Sequence, residues 1–163
     1  MTRTVRAALL AALVLGALAS GCGGGPDAAP SAVILEVAPE SLDPALDDAD
    51  DLTIRVQYAD GDADLGGGLA AVHDCRADGL VVELAIPPLA SEQAIADGVP
   101  IDGVIQLIVN DIGRVEAESA APPACADLGV GEPSDGEAIF CVVLTDAAGH
   151  TGDGDCSPPV AIR

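Results

Sequence analysis

Tryptophan and lysine are absent from this 163-residue chain, and Tyr58 and Phe140 are its only aromatic residues. Sugar sites usually rely on aromatic platforms, so a glycosidase has little to build on here. Basic residues are scarce too: six arginines stand against 27 acids, for a net charge of −21. Nucleic-acid affinity comes mainly from Lys and Arg neutralising phosphates, so a phosphate-backbone binder is excluded. The same charge opposes docking of a folded surface on anionic headgroups. No serine sits in a GxSxG context, no CxxC spacing occurs, and the two histidines, His73 and His150, lie far apart in sequence. A nucleophile elbow and a structural zinc site therefore lack their signatures. Gly66 to Gly68 lead into a strand rather than a helix, which removes a phosphate cradle. What the chain does have is an apolar fraction of 50%, 19 Gly, 12 Pro and five Cys. That apolar fraction is enough for a core and the length fits one domain.

Residues 1–22 read MTRTVRAALLAALVLGALASGC. Arg3 and Arg6 form a positive start, Ala7 to Ala19 is apolar, and Ala19, Ser20 and Gly21 are small residues leading to Cys22. This is the layout of an export signal, with an apolar run too short for an ordinary membrane span. On these residues the segment resembles the signals of bacterial lipoproteins, with Ala19 where the family usually has Leu and Leu18 one place further out. The resemblance implies cleavage before Cys22, acylation of its sulfur, and anchoring of the mature chain in a membrane of the bacterial cell envelope. Gly23, rather than Asp, after the cysteine points by the same resemblance to the outer membrane. Domain boundaries follow: signal peptide 1–21, lipidated Cys22 with a Gly/Pro/Ala tether to residue 32, and a folded domain over 33–163. Cleavage would remove Arg3 and Arg6 and leave four arginines against 27 acids, a net charge of −23.

From residue 33 the hydropathy alternates with a period of two. Leu52, Ile54, Val56 and Tyr58 alternate with polar residues, the mark of a half-buried strand. Further strands are expected over 33–37, 69–75, 80–86, 104–109, 139–144 and 160–162. The near-continuous apolar runs 104–109 and 139–144 read as central strands. Asp78-Gly79 is a hairpin signal between two strands. Ser91 to Gly98 reads as a helical turn with Ser91 as N-cap and Gly98 as stop. Seven short strands separated by Gly, Pro and Asp clusters predict an all-β fold, an antiparallel β-sandwich.

The spacing, and the phrase LTDAAGH at 144–150, resemble immunoglobulin-like domains of bacterial envelope proteins. That family usually has a core Trp and a Tyr two residues before a Cys. This chain lacks both, so its core must be Val, Ile, Leu and Ala, with Tyr58 and Phe140 inside. With Cys22 assigned to lipid, Cys75, Cys125, Cys141 and Cys156 remain in an exported chain where disulfides persist. Four cysteines allow three pairings. In the sandwich topology, a turn near Ala148-Gly149 sets Cys141 opposite Cys156. Cys75 and the loop carrying Cys125 share an end, which favours Cys75–Cys125 with Cys141–Cys156. Metal ligation by these cysteines is the alternative.

The segment 58–68, YADGDADLGGG, places Asp60, Asp62 and Asp64 at alternate positions. Calcium takes about 6–8 oxygen ligands, which closely spaced carboxylates on a pliant backbone supply. An EF-hand is excluded, since Leu65 stands where Gly is required and no closing Glu follows. In the sandwich topology this loop meets the one carrying Asp146, Asp153 and Asp155. Asp60, Asp62, Asp64, Asp153 and Asp155 are the candidate calcium ligands. The acidic run from Asp43 to Asp51 falls at the opposite end and reads as a solvated loop. The expected function is a lipid-anchored, non-catalytic envelope protein with an unidentified protein partner and no nucleic acid. A calcium- or small-ligand-binding lipoprotein is the alternative, and a hydrolase ranks last.

Overall fold

The structure is a computed structural model that describes residues 28–43, 50–76, 80–112 and 123–163. The signal segment, Cys22, most of the tether, the Asp78-Gly79 turn and most of the acidic run after Asp43 lie outside the described residues. The fold is all-β. Its strands are β1 (Ser31–Ala38), β2 (Ser41–Leu42), β3 (Asp50–Asp60), β4 (Leu69–Asp74), β5 (Val81–Ala85), β6 (Ile101–Ile112), β7 (Glu137–Ala138), β8 (Phe140–Thr145), β9 (Asp155–Cys156) and β10 (Val160–Ile162). Two short helices interrupt them, α1 (Glu92–Ala96) and α2 (Pro123–Asp127). All seven expected strands form. β2, β7 and β9 are added, each two residues long, and α2 replaces part of an expected loop.

Three sheets result, with strand orders β1-β3-β6, β5-β4-β8-β9 and β2-β10-β7. Every pairing is antiparallel except β2 with β10. The first two sheets turn their alternate residues onto one shared core. Leu52, Ile54 and Val56 come from β3, Ala70 and Val72 from β4, and Phe140, Val142 and Leu144 from β8, all at most 2% exposed. Period-two alternation puts these side chains on one face, and burying each aliphatic side chain contributes about 1.5–3 kcal/mol. Tyr58 completes the inward row of β3 and faces Gly103 across the ladder. A Cβ at Gly103 would lie 2.8 Å from the Tyr58 hydroxyl oxygen, so the ring occupies the space that a glycine alone leaves free.

At one side the sheets meet, because the Asp155 carboxylate on β9 accepts a 2.7 Å hydrogen bond from the Ile34 amide of β1. The register of β1 against β3 shifts at this point, between Ile34 and Glu36. At the other side β5 and β6 are unpaired edges flanking a groove of about 330 Å³, lined by residues 84–87 and 105–108. The expectation of a central strand at 104–109 is corrected here: β6 is an edge strand whose Val104 and Ile108 are about half exposed. An apolar run implies two covered faces only if something covers the second, and the described residues supply no cover. The run at 139–144 does lie inside its sheet, as β8. Helix α1 has the expected caps, with the Ser91 hydroxyl accepting from the Ala94 amide at 3.2 Å and Gly98 at φ 59°. No helix among the described residues is long and apolar enough to cross a membrane.

Candidate metal centre

β3 delivers its last inward side chain as a carboxylate. The alternation that buries Leu52, Ile54, Val56 and Tyr58 sends Asp60 the same way, and it is 3% exposed. Beyond it the chain folds inward rather than out to solvent. Asp62 is 8% exposed, while Ala63, at a positive φ of 66°, and Leu65 are fully buried. The Asp60 Oδ2 accepts from the Leu65 amide at 2.9 Å and closes this turn. One oxygen from each of Asp60, Asp62 and Asp64 lies within 4.8 Å of the other two. The Oδ1 atoms of all three are buried and receive no hydrogen bond. Among the described residues no basic side chain pairs with them: Arg55 is bound to Glu36, Arg76 to Asp74 and His150 to Asp146.

A second loop, 146–154 between β8 and β9, packs against the first. The Ala147 amide donates to the Asp64 carbonyl at 3.1 Å. A Cβ on Gly68 would lie 2.0 Å from the Thr145 carbonyl, so only glycine lets the two loops approach so closely. Asp146, 3% exposed, is held by the His150 amide at 2.8 Å and by the His150 Nδ1 at 3.0 Å.

These placements raise the affinity of Asp60 and Asp64 for protons. Burial, followed by a hydrogen bond with Asp62 that forms only when one of the two carboxyls is protonated, and then the charges of Asp146, Asp62 and Asp60, pushes the Asp64 carboxyl up to about 6. Burial likewise raises Asp60, against a lowering by the Leu65 amide, and Asp62 and Asp146 add to the rise. Tyr58 is raised by burial first and then by the charges of Asp102 and Asp60. Crowded carboxylates in a dry site are unfavourable as anions unless a proton or a cation neutralises them. Calcium–oxygen distances are about 2.3–2.6 Å, so ligands on opposite sides of one ion stand roughly 5 Å apart. Oxygens mutually within 4.8 Å fit one such coordination shell.

The structure brings together Asp60, Asp62 and Asp64 and leaves out the two other candidate ligands. Asp153 is exposed in the second loop. Asp155 faces Val142 in the β8–β9 ladder and spends its carboxylate on the Ile34 amide. The acid that the second loop does bring near is Asp146, whose charge acts on both Asp60 and Asp64. Its signal was its place at the end of a strand, where the backbone is anchored, rather than amid the glycines of the loop.

The opposite end of the β4–β8 pair carries the cysteines. Cys75–Cys125 and Cys141–Cys156 are disulfides, the pairing the topology favoured, and Cys141 faces Cys156 in register. The two bridges touch, with Cys75 Sγ 3.5 Å from Cys141 Sγ. Together with Leu128, Val130 and Ile139 they make a second small core under α2. Their sulfurs are committed to covalent bonds and offer no thiolate to a metal. His73, across the ladder from Cys141, has a buried Nδ1 without a hydrogen bond, and burial lowers its pKa. No protein-family model matches the chain, and no curated protein or solved structure matches it either.

Proposed function

We propose that this chain is a lipid-anchored, non-catalytic module of a bacterial cell envelope, in the outer membrane in preference to the inner. Its domain is read as an immunoglobulin-like β-sandwich with a structural or protein-interaction role. The observation that carries the reading is how closely the folded domain follows Cys22 and the signal-like segment before it. Cys22 ends the signal-like segment, Pro30 is already fully buried, and β1 opens at Ser31. Eight residues separate the cysteine from the first strand. Fully extended they span at most roughly 30 Å, so a lipid on Cys22 would hold the domain about one domain diameter from the bilayer. Two or three acyl chains give stable anchoring where one is marginal. The acidic surface, repelled by anionic headgroups, would stand off from the membrane rather than lie on it. Two disulfides that close loops around a shared two-sheet core support an oxidising, extracytoplasmic setting.

Mass spectrometry of the protein made in a Gram-negative host tests this directly. The expected mature N-terminus is a diacylglyceryl-modified Cys22, with the protein in the detergent phase and Cys22→Ser released to the aqueous phase. An unmodified Cys22, or cleavage elsewhere, overturns the anchor.

A further inference from the structure

We propose that Asp60, Asp62 and Asp64 form a calcium-binding site at the junction of the β3–β4 and β8–β9 loops, with Asp146 as a flanking charge. The site belongs to the folded domain and does not rest on the lipid anchor. Two independent observations support it. The first is convergence, since one oxygen from each of the three carboxylates lies within 4.8 Å of the others. The second is lack of satisfaction: Asp60 and Asp62 are more than nine-tenths buried, yet each has an Oδ1 that no donor reaches. Buried polar atoms in folded proteins nearly always have partners, and a buried charged oxygen without one costs still more. Three such oxygens in one place call for a positive ligand rather than a single missing water.

The donor set selects the ion. All three side chains offer hard carboxylate oxygen and no nitrogen or sulfur, which disfavours zinc and copper. Magnesium holds its water shell tightly and demands near-ideal octahedral geometry, whereas calcium sheds water readily and accepts irregular oxygen shells. A buried, irregular turn closed by the Asp60–Leu65 hydrogen bond suits calcium better. Because Asp64 also takes the Ala147 amide on its carbonyl, a bound ion would brace both loops at once. Extracellular calcium modules bind with Kd of about 10⁻⁴–10⁻³ M, and that range is expected here.

Tyr58 supplies a built-in reporter. It is the only tyrosine of the chain, lies two residues before Asp60 on the same inward row of β3, and is close enough to feel the Asp60 charge. Terbium is a calcium mimic whose emission is sensitised by a nearby phenol. The full chain, with disulfides intact and stripped with EDTA, should show saturable terbium luminescence on excitation of Tyr58. Calcium should displace the terbium, and magnesium should do so at least tenfold less effectively. Asp60→Asn and Asp62→Asn should each lower calcium affinity at least 100-fold by calorimetry, while Asp153→Asn leaves it unchanged. Tyr58→Phe should lose the luminescence and keep the calorimetric binding. The Asn variants are nearly isosteric and relieve repulsion, so their metal-free melting temperature should equal or exceed that of the parent, which separates a lost site from a lost fold. No saturable calcium binding up to 10 mM, or binding that survives Asp60→Asn and Asp62→Asn together, overturns the site.

Discussion

The two ends of the β4–β8 pair meet the same difficulty in opposite ways. Where β4 ends and β8 begins, loops and α2 are fastened by two disulfides, and both oxygens of the nearby Asp74 carboxylate accept from Arg76, Oδ1 from Nε at 3.0 Å and Oδ2 from Nη2 at 2.6 Å. Where β4 begins and β8 ends, no covalent bond crosses between the loops. Asp60, Asp62 and Asp64 crowd together there without a basic partner among the described residues. One end is finished by the chain's own chemistry; the other leaves three carboxylates each with an oxygen that receives no hydrogen bond. A small domain in an oxidising compartment commonly uses covalent staples because its core alone contributes little stability. A cation does similar work reversibly, and its contribution follows the concentration of free ion.

The largest expected effect is at the covalent end. The loop-closure model assigns about 4 kcal/mol to Cys75–Cys125, which closes 50 residues, and about 3 kcal/mol to Cys141–Cys156, which closes 15. Paired Cys→Ser variants, unfolded in guanidinium chloride at saturating calcium, should lose stability in that order. If removing calcium from the intact protein costs more than removing either bridge, the ranking of the two ends is reversed.

The next effect is the pH response of the acidic end. Asp64 is raised to about 6 from the ordinary 3.8, and Asp60 is raised too, so in this range the folded state binds more protons than the unfolded one. For a carboxyl raised in this way, stability is greatest below the unfolded pKa and falls as pH rises toward the folded one. Metal-free protein should therefore melt at progressively lower temperature between pH 4 and about 6, then level off as far as these two groups govern it. At saturating calcium the slope should reverse, because the ion needs the ionised form. Thermal melts in EDTA and in calcium across this range check both signs, and parallel curves would break the contrast.

The smallest effect sharpens the comparison by its absence. Glu36 and Arg55 form an exposed ion pair at 2.9 Å on the outer face of the sheet, at neither end. Such pairs contribute about 0.2–1 kcal/mol and are screened by salt, so Arg55→Ala should change stability by no more than that in urea titrations.

Most of the strand content was legible because period two is a local property of the chain. Leu52, Ile54, Val56 and Tyr58 had to share a face once the segment was extended, and Asp60 had to follow them. The Ser91 cap and Gly98 stop of α1 were readable for the same reason, since both act within one turn. The cystine pairing needed only the placement of one hairpin turn. What stayed hidden depended on neighbours. The run 104–109 is equally apolar at the edge or the centre of a sheet, and only the strand order β1-β3-β6 leaves Val104 and Ile108 bare. Asp153 and Asp155 looked as suitable as Asp146 in a glycine-rich loop. The register of β8 with β9 and the shift in β1 drew Asp155 to the Ile34 amide instead.

Composition and alternation by themselves determined an acidic, aliphatic, all-β chain, because charge counts and side-chain periodicity need no partner to be read. Tertiary structure decided which carboxylates meet, which edge stays open and which loop is stapled. Each of these depends on distances between segments far apart in sequence, and those distances exist only once the sheets have packed on their common core.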